Sequence, residues 1–283
     1  MSWYAKYLDA FEKPFDKHTK EFTESIRAKL LSVQSGNPLV SVVIIAYNEE
    51  KRLLACLWSL SENICKYPFE IIGVNNNSRD DTAGVYISAG IRFFNETQKG
   101  PGFARNRGLS EAKGKYIVCI DADTIYPPYY IQTMTDALLR KGVVAAYSLW
   151  SYVPDAGYSP FKLFFYEMVR DVHLLLLSRK SPERCVRGMV FAHDAALAKE
   201  IGYKNNIIRG EDGSLAYKLK EHGKVVMVTS KKARPVTSTS TLKADGSLGS
   251  ALVKRALSAL KGFRKYLFKT KGDIEDQDSN TIK

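Results

Sequence analysis

One run decides more about this chain than any other. Tyr116 to Ile120 is a set of consecutive apolar, partly β-branched residues, followed at once by Asp121-Ala122-Asp123 within GKYIVCIDADT. A short apolar run of this kind predicts a strand buried on both faces, as in a parallel sheet covered by helices. Acids immediately after it stand at the carboxyl end of a strand, where open α/β sheets bind ligands. Carboxylates one residue apart can converge on a shared point, and oxygen-only ligation suits a hard cation such as Mg²⁺ or Mn²⁺ that also holds diphosphate. A solvated turn is the other reading, and the triplet alone does not choose between them.

The surroundings extend the pattern. From Leu39 the chain alternates strand and helix: a strand from Leu39 to Ala46, a helix from Glu50 to Ser61, a strand from Phe69 to Val74 and a helix from Asp80 to Ala89. A short strand, Ile91 to Asn95, a helix from Gly102 to Ala112 and the acid-bearing strand follow. This order predicts a mostly parallel sheet with helices on both faces. Right-handed crossovers put the strand ends on one edge, where Tyr47, Asn48, Glu49, Asn75, Asn76, Asn77, Asp121 and Asp123 surround a space for a nucleotide-sized ligand.

Several of these residues have a plainer reading. Asn75-Asn76-Asn77-Ser78 also suits a turn with a helix cap, Ser78 above all, and Asn75 is the better ligand contact because its amide can both donate and accept. Gly100-Pro101-Gly102 followed by Arg105 is either a phosphate-approaching loop or a helix entrance. There is no GxGxxG after the first strand and no GxxxxGKT, which argues against a dinucleotide oxidoreductase and a P-loop enzyme. Cys56, Cys65, Cys119 and Cys185 lack CxxC spacing and are expected to be free thiols, and His18, His173, His193 and His222 form no ligand-spaced cluster.

Further along, a helix is expected to about Leu139, then a strand from Val143 to Leu149. Tyr158 to Ser178 is apolar nearly all round and predicts a core helix, or alternatively aromatic walls for an acceptor pocket. Gly210-Glu211-Asp212-Gly213 opens a helix running to about Glu221, so Asp212 is either an acid favoured by the helix dipole or a catalytic base.

SVVIIAYNEE, VNNNSRDDT, the run from Gly100 to Leu109, GKYIVCIDADT and RGEDGSLAYKL, in that order, resemble the motifs of family 2 inverting glycosyltransferases of the GT-A fold over about residues 38–228. The resemblance implies an α/β, Rossmann-like sandwich and a single-sugar transfer from a nucleotide-diphosphate sugar. Its donor site would involve Ala46, Tyr47, Glu49, Asn75, Asn77, Gly100, Arg105, Asp121, Ala122, Asp123 and Glu211. It implies Mn²⁺ or Mg²⁺ on Asp123 and Asp121, and Asp212 as the base that deprotonates the acceptor hydroxyl, with Glu211 beside it. The family usually has Asp where this chain has Asn75, which weakens the assignment of uridine. A UDP-sugar is the favoured donor, with a GDP-sugar as the other. No QxxRW follows Asp212, consistent with single-sugar addition. A glycan or lipid-linked acceptor fits the family, and a sugar nucleotidyltransferase or a non-catalytic basic scaffold are the rival readings.

The net charge is +12, and the excess is concentrated: Leu215 to Gly272 holds fourteen Lys and Arg against Glu221 and Asp245. The flanks of the central domain, residues 37–240, are read as a helical N-terminal extension, residues 1–36, and a basic C-terminal segment, residues 241–283, with an acidic end. In the latter, Leu252, Ala256, Leu260, Phe263 and Leu267 form an apolar stripe flanked by lysines and arginines, suited to an anionic membrane surface or to packing on the domain, and not to nucleic acid. With no spanning apolar segment and no secretory signal in the sequence, the expected location is cytoplasmic, with peripheral contact at the inner face of the cell membrane.

Overall fold

The computed structural model describes residues 2–207 and 209–244. The amphipathic stripe between Leu252 and Leu267 therefore lies outside the described residues. After short helical turns, helix α1 (Lys20–Val33) starts at Thr19, whose hydroxyl accepts from the Phe22 amide at 3.3 Å, and buries Ile26 and Leu30 against the domain. The alternation follows as β1 (Val40–Ala46), α2 (Leu53–Ser61), β2 (Phe69–Asn76), α3 (Thr82–Ser88), β3 (Arg92–Glu96), α4 (Pro101–Glu111) and β4 (Tyr116–Asp121). Next come β5 (Thr124–Ile125), α5 (Tyr130–Leu138), β6 (Val143–Ser148), β7 (Ser151–Tyr152) and α6 (Pro160–Ser178). The last elements are β8 (Phe191–Asp194), α7 (Ala195–Ile201), α8 (Glu211–Leu219), β9 (Lys224–Val228), β10 (Val236–Thr237) and α9 (Ser240–Ala244).

Seven strands form the main sheet in the order β3-β2-β1-β4-β8-β6-β9. All neighbours are parallel except at β8, which runs antiparallel to both β4 and β6. The mostly parallel sheet expected from the alternation is thus present. Along β1 the side chains alternate between two apolar layers, as the pleat requires. Val42 and Ile44 join α1, α2, α3 and α5, whereas Val43 faces a layer with residues of α4, α6, α7 and α8. Gly108 permits the close approach of α4 to β1, since a Cβ there would lie 2.3 Å from a Val43 methyl carbon. The four cysteines are free.

A small second sheet, β5-β10-β7, folds a late segment back over the end of β4 and brings Thr237 and Ser238 to Asp123. No described helix is long and apolar enough to cross a membrane.

Helix α6 departs from the core helix its composition suggests. Only Leu163, Tyr166, Arg170 and Leu174 are buried, while Phe161, Phe164, Phe165, Met168, Val169, Val172, Leu175 and Leu176 are exposed. The helix is apolar on both sides, but the sheet layer covers just one of them.

Candidate active site

The parallel strands end on one edge, and a cavity of about 630 Å³ opens there. Ala46, Tyr47 and Glu49 reach it from the end of β1, and Asp121, Ala122 and Asp123 from the end of β4. Gly100 and Arg105 come from the start of α4, and Glu211 and Asp212 from the start of α8. Ten of the residues singled out in the sequence therefore line one space. Asn75 and Asn77 do not line it. The Asn75 amide donates to Asn95 at 2.9 Å and accepts from the Ser78 amide at 3.3 Å, while Asn77 is an exposed turn residue with φ 59°. Asn76, which the sequence also placed at this edge, does line the cavity, as does Lys99. Asn76 accepts from the Gly100 amide at 3.2 Å and donates to the Gln98 carbonyl at 2.8 Å, so it fixes the turn into α4. The asparagine run marked this neighbourhood but not which member faces inward.

The loop after β1 is held by hydrogen bonds to the loop before α3. Asn48 accepts from the Arg79 amide at 2.8 Å, and its own amide donates to Ser78 at 3.0 Å. The Glu49 amide donates to Thr82 at 2.9 Å, which positions the Glu49 carboxylate at the cavity wall beside Arg52, 3.0 Å away.

Arg105 organises the centre. It is 2% exposed, donates to the Ile120 carbonyl at 3.2 Å and to the Asp121 carboxylate, and lies 3.5 Å from the nearer Asp212 oxygen. One buried guanidinium thus faces the acid at the end of β4 and the acid at the start of α8. Gly188 makes room for this arrangement: a Cβ there would sit 2.1 Å from an Arg105 nitrogen and 2.7 Å from an Asp212 oxygen. Gly188 lies far from both Arg105 and Asp212 in sequence, so the chain shows this close approach only once it is folded.

Asp123 is held differently. Its Oδ2 accepts from Ser238, and its Oδ1 from Thr124 at 3.1 Å and Thr237 at 3.3 Å. Ser238 and Thr237 arrive from β10 and the residue after it, over a hundred positions away in sequence, so no local pattern points to them.

The site is rich in carboxylates. Burial pushes the Glu49 carboxyl up to about 8, with the charge of Asp123 adding and Arg52 opposing. Burial also pushes Asp121 up to about 6, Arg105 working against it and Asp123 and Asp212 with it. Glu211 is pushed up to about 8 by burial and by Asp212. Five acids facing one space, three of them with raised pKa values, leave a shortage of positive charge that a divalent cation would relieve. Among the described residues no group of three His, Cys, Asp or Glu forms a metal cage. Asp121 and Asp123 are oxygen donors of the type that hold Mg²⁺ or Mn²⁺ by one or two carboxylates together with substrate phosphates, so the residues fit such an ion.

A second cavity of about 620 Å³ adjoins the first. Asp121, Glu211 and Asp212 line both. Its other walls include Trp150, Tyr152, Arg184, Arg187, Gly188, Arg209 and Thr237, from the loops that follow β6, α6 and α7 and from β7 and β10.

Solved structures with this architecture include glucosyl-3-phosphoglycerate synthase from Mycobacterium tuberculosis in complex with Mn²⁺, UDP-glucose and phosphoglyceric acid. It aligns at TM-score 0.55 and 21% identity over 86% of this chain and 84% of that one. The mannosyltransferase PcManGT from Pyrobaculum calidifontis, in complex with GDP-Man and Mn²⁺, aligns at TM-score 0.57 and 16% identity over 90% and 77%. These likenesses show the GT-A fold. In sequence, EpsH of Bacillus subtilis, named as a glycosyltransferase, is 36% identical over 102 residues, 34% of this chain and 29% of that protein. An uncharacterized glycosyltransferase of Methanocaldococcus jannaschii is 27% identical over 195 residues, 63% of each. The matched regions thus span less than two thirds of these relatives' own lengths. Residues 41–191, more than half of the chain and the part that builds β1, β4 and the carboxylates at their ends, match the family described as Glycosyl transferase family 2, and the chain belongs to that family.

Proposed function

We propose that the protein transfers a single sugar from a nucleotide-diphosphate sugar to a hydroxyl acceptor with inversion at the anomeric carbon. The observation that carries this reading is the meeting of two cavities at Asp121, Glu211 and Asp212. The first has the position and size for a donor: it lies outside the carboxyl ends of the strands, with the start of α4 and Lys99 beside it. The second shares Asp121, Glu211 and Asp212 with the first and would admit the acceptor. In such a transfer the acceptor oxygen forms a bond to the anomeric carbon as the bond to the nucleoside diphosphate breaks. The leaving group takes the electron pair, and the hydroxyl proton passes to Asp212.

Arg105 holds Asp212 in place and balances its charge, while Asp121 and Asp123 would hold the ion at the diphosphate. A bound Mn²⁺ or Mg²⁺ would offset charge building on the departing diphosphate. UDP-sugar is the favoured donor and GDP-sugar the second. The structural neighbours, each solved with Mn²⁺, carry UDP-glucose in one case and GDP-Man in the other. The acceptor class favoured is a glycan or lipid-linked precursor.

Titration with UDP and GDP, with Mn²⁺ and with chelator, tests the donor half, followed by a screen of sugar nucleotides for slow donor hydrolysis. Metal-dependent binding of one nucleoside diphosphate and hydrolysis of its sugar derivative are expected. Binding of neither nucleotide in the presence of Mn²⁺ would overturn the reading.

A further inference from the structure

Helix α6 spans 19 residues, about 28 Å at 1.5 Å per residue. At 100° per residue its buried side chains, Leu163, Tyr166, Arg170 and Leu174, share one arc, and the opposite arc holds Phe161, Phe164, Phe165, Met168, Val169, Val172, Leu175 and Leu176. These are truly outward: Phe161 is 79%, Phe164 67% and Leu176 60% exposed. Large apolar side chains scattered singly on a surface need no explanation, but eight on one continuous helix face mark a contact surface.

The charges around this face select its partner. The outward arc is edged by Lys162 and closed at its end by Arg179, both exposed, and Lys180, Arg184 and Arg187 follow, also exposed. Both acids of the helix are turned the other way. Glu167 accepts from Ser151 at 2.8 Å and pairs with Arg234 at 3.0 Å, and Asp171 pairs with Arg234 at 2.6 Å and Arg170 at 2.7 Å. The result is a phenylalanine- and leucine-rich stripe with cations at its margins and no acid, the composition of a helix that lies in the plane of an anionic bilayer surface. A second copy of the chain suits the face less well. Antiparallel pairing of α6 with itself would set Lys162 against Arg179, with no acid in the arc to compensate.

We propose that the outward face of α6 docks this protein on an anionic membrane, with the phenylalanine and leucine side chains in the acyl boundary and the flanking cations at the headgroups. The placement also orients the site. Beyond α6 the chain turns through Pro182–Cys185 into Arg187 and Gly188, which line the second cavity, so a bilayer under α6 lies close to the side from which an acceptor would enter. This last consequence rests on the assignment of that cavity to the acceptor; the docking itself does not.

Sedimentation of the full chain with vesicles tests the docking. Vesicles of phosphatidylglycerol and phosphatidylcholine in equal parts are compared with phosphatidylcholine alone, at low and high salt. The expected result is salt-sensitive binding to the anionic vesicles. Phe164→Glu combined with Leu176→Glu should weaken it at least ~10-fold, since each replaces a membrane-inserted apolar side chain with an acid. Retained nucleoside diphosphate binding and an unchanged melting temperature in this variant show that the site and fold persist, which separates failure of docking from failure of the enzymatic reading. Leu260→Glu with Phe263→Glu, in the basic C-terminal segment, serves as the comparison and should retain vesicle binding. Three results would overturn the proposal. They are absence of binding by the full chain, binding unaffected by the α6 substitutions but lost with those at Leu260 and Phe263, and a dimer in solution that the α6 substitutions dissociate.

Discussion

The two cavities that meet at Asp212 are built in opposite ways. The first is assembled from the ends of neighbouring parallel strands and the starts of helices, and β1, β2 and β4 are paired over nearly their whole length. Its shape follows from the sheet: wherever those strands pair, Tyr47, Glu49, Asp121 and Asp123 must come together. The second is assembled mainly from loops and a helix start, the stretch after β6, the turn after α6 and the start of α8, with one two-residue ladder that sets Tyr152 of β7 beside Thr237 of β10. Its shape depends on long-range contacts such as Arg234 with Glu167 and Asp171, and Ser238 with Asp123. The difference teaches that the first cavity is scaffold while the second is attachment, and that Arg105 and Asp212 form the joint.

The largest expected effect separates the two sides by function. Asp212→Asn should lower turnover by ~10²–10⁴-fold, the scale of a lost general base, and leave nucleoside diphosphate affinity within about twofold. Asp123→Asn should do the reverse in binding, removing the Mn²⁺-dependent part of donor affinity. Steady-state kinetics with calorimetric titration of both variants make the check. Near-normal turnover in Asp212→Asn would remove the base assignment.

Next in size is the joint itself. Arg105→Leu strands Asp121 and Asp212 without their shared cation, and loss of one partner from a buried ionic cluster costs about 3–5 kcal/mol. Urea unfolding should show this loss. Gly188→Ala should damage the same joint by a different route, because its methyl group would collide with the Arg105 guanidinium.

These contrasts explain what could be read in advance. The elements from β1 to β4 were legible because each carries its own period and punctuation, and their order dictates a parallel sheet. Glu49, Arg105, Asp121, Asp123, Glu211 and Asp212 were legible because strand ends and helix starts place them. Ser238 was not, because β10 has two residues and its position depends on pairing with β5 and β7. Helix α6 was legible as a helix, but periodicity cannot say which side is covered when both sides are apolar. The long reach of the second cavity hides it from any local pattern.

A third prediction concerns β8, the antiparallel strand between the two halves of the sheet. His193 on this strand is fully buried, with Nδ1 3.0 Å from the Asp194 carbonyl and Nε2 2.8 Å from the Tyr203 hydroxyl. A carbonyl can only accept, so Nδ1 carries a proton towards it; burial keeps the ring neutral, and Nε2 then accepts from the Tyr203 hydroxyl. Burial lowers its pKa to about 4 from 6.5. The unfolded chain therefore binds this proton before the folded one does. Stability is complete above pH 6.5 and is lost as pH falls towards 4, by about 3 kcal/mol in all. Urea midpoints measured across this range should show the slope, and His193→Gln should flatten it. An unchanged slope in that variant would assign the acid sensitivity elsewhere.

The smallest effect probes the shortest of the contacts that reach from the late segment onto the Asp123 carboxylate. Ser238 is buried and donates to Asp123 Oδ2, while Thr124 and Thr237 occupy Oδ1 and Ser240 lies 3.4 Å from Oδ2. If Asp123 holds the donor's cation, Ser238 sets the direction of that carboxylate, as partners behind a metal ligand do. Ser238→Ala removes a hydrogen bond to a charged group but leaves the Oδ1 contacts and a nearby hydroxyl, so the expected loss is about 1 kcal/mol, roughly fivefold in Mn²⁺-dependent nucleotide affinity. Stability should change little. The decisive form is a double-mutant cycle with Asp123→Asn: the Ser238 effect should vanish once Asp123 is neutral, because the hydroxyl acts through the carboxylate. An equal loss in both backgrounds, or one that persists in chelator, would mean that Ser238 merely anchors β10, and that the two halves of the site are joined at Arg105 and not at Asp123.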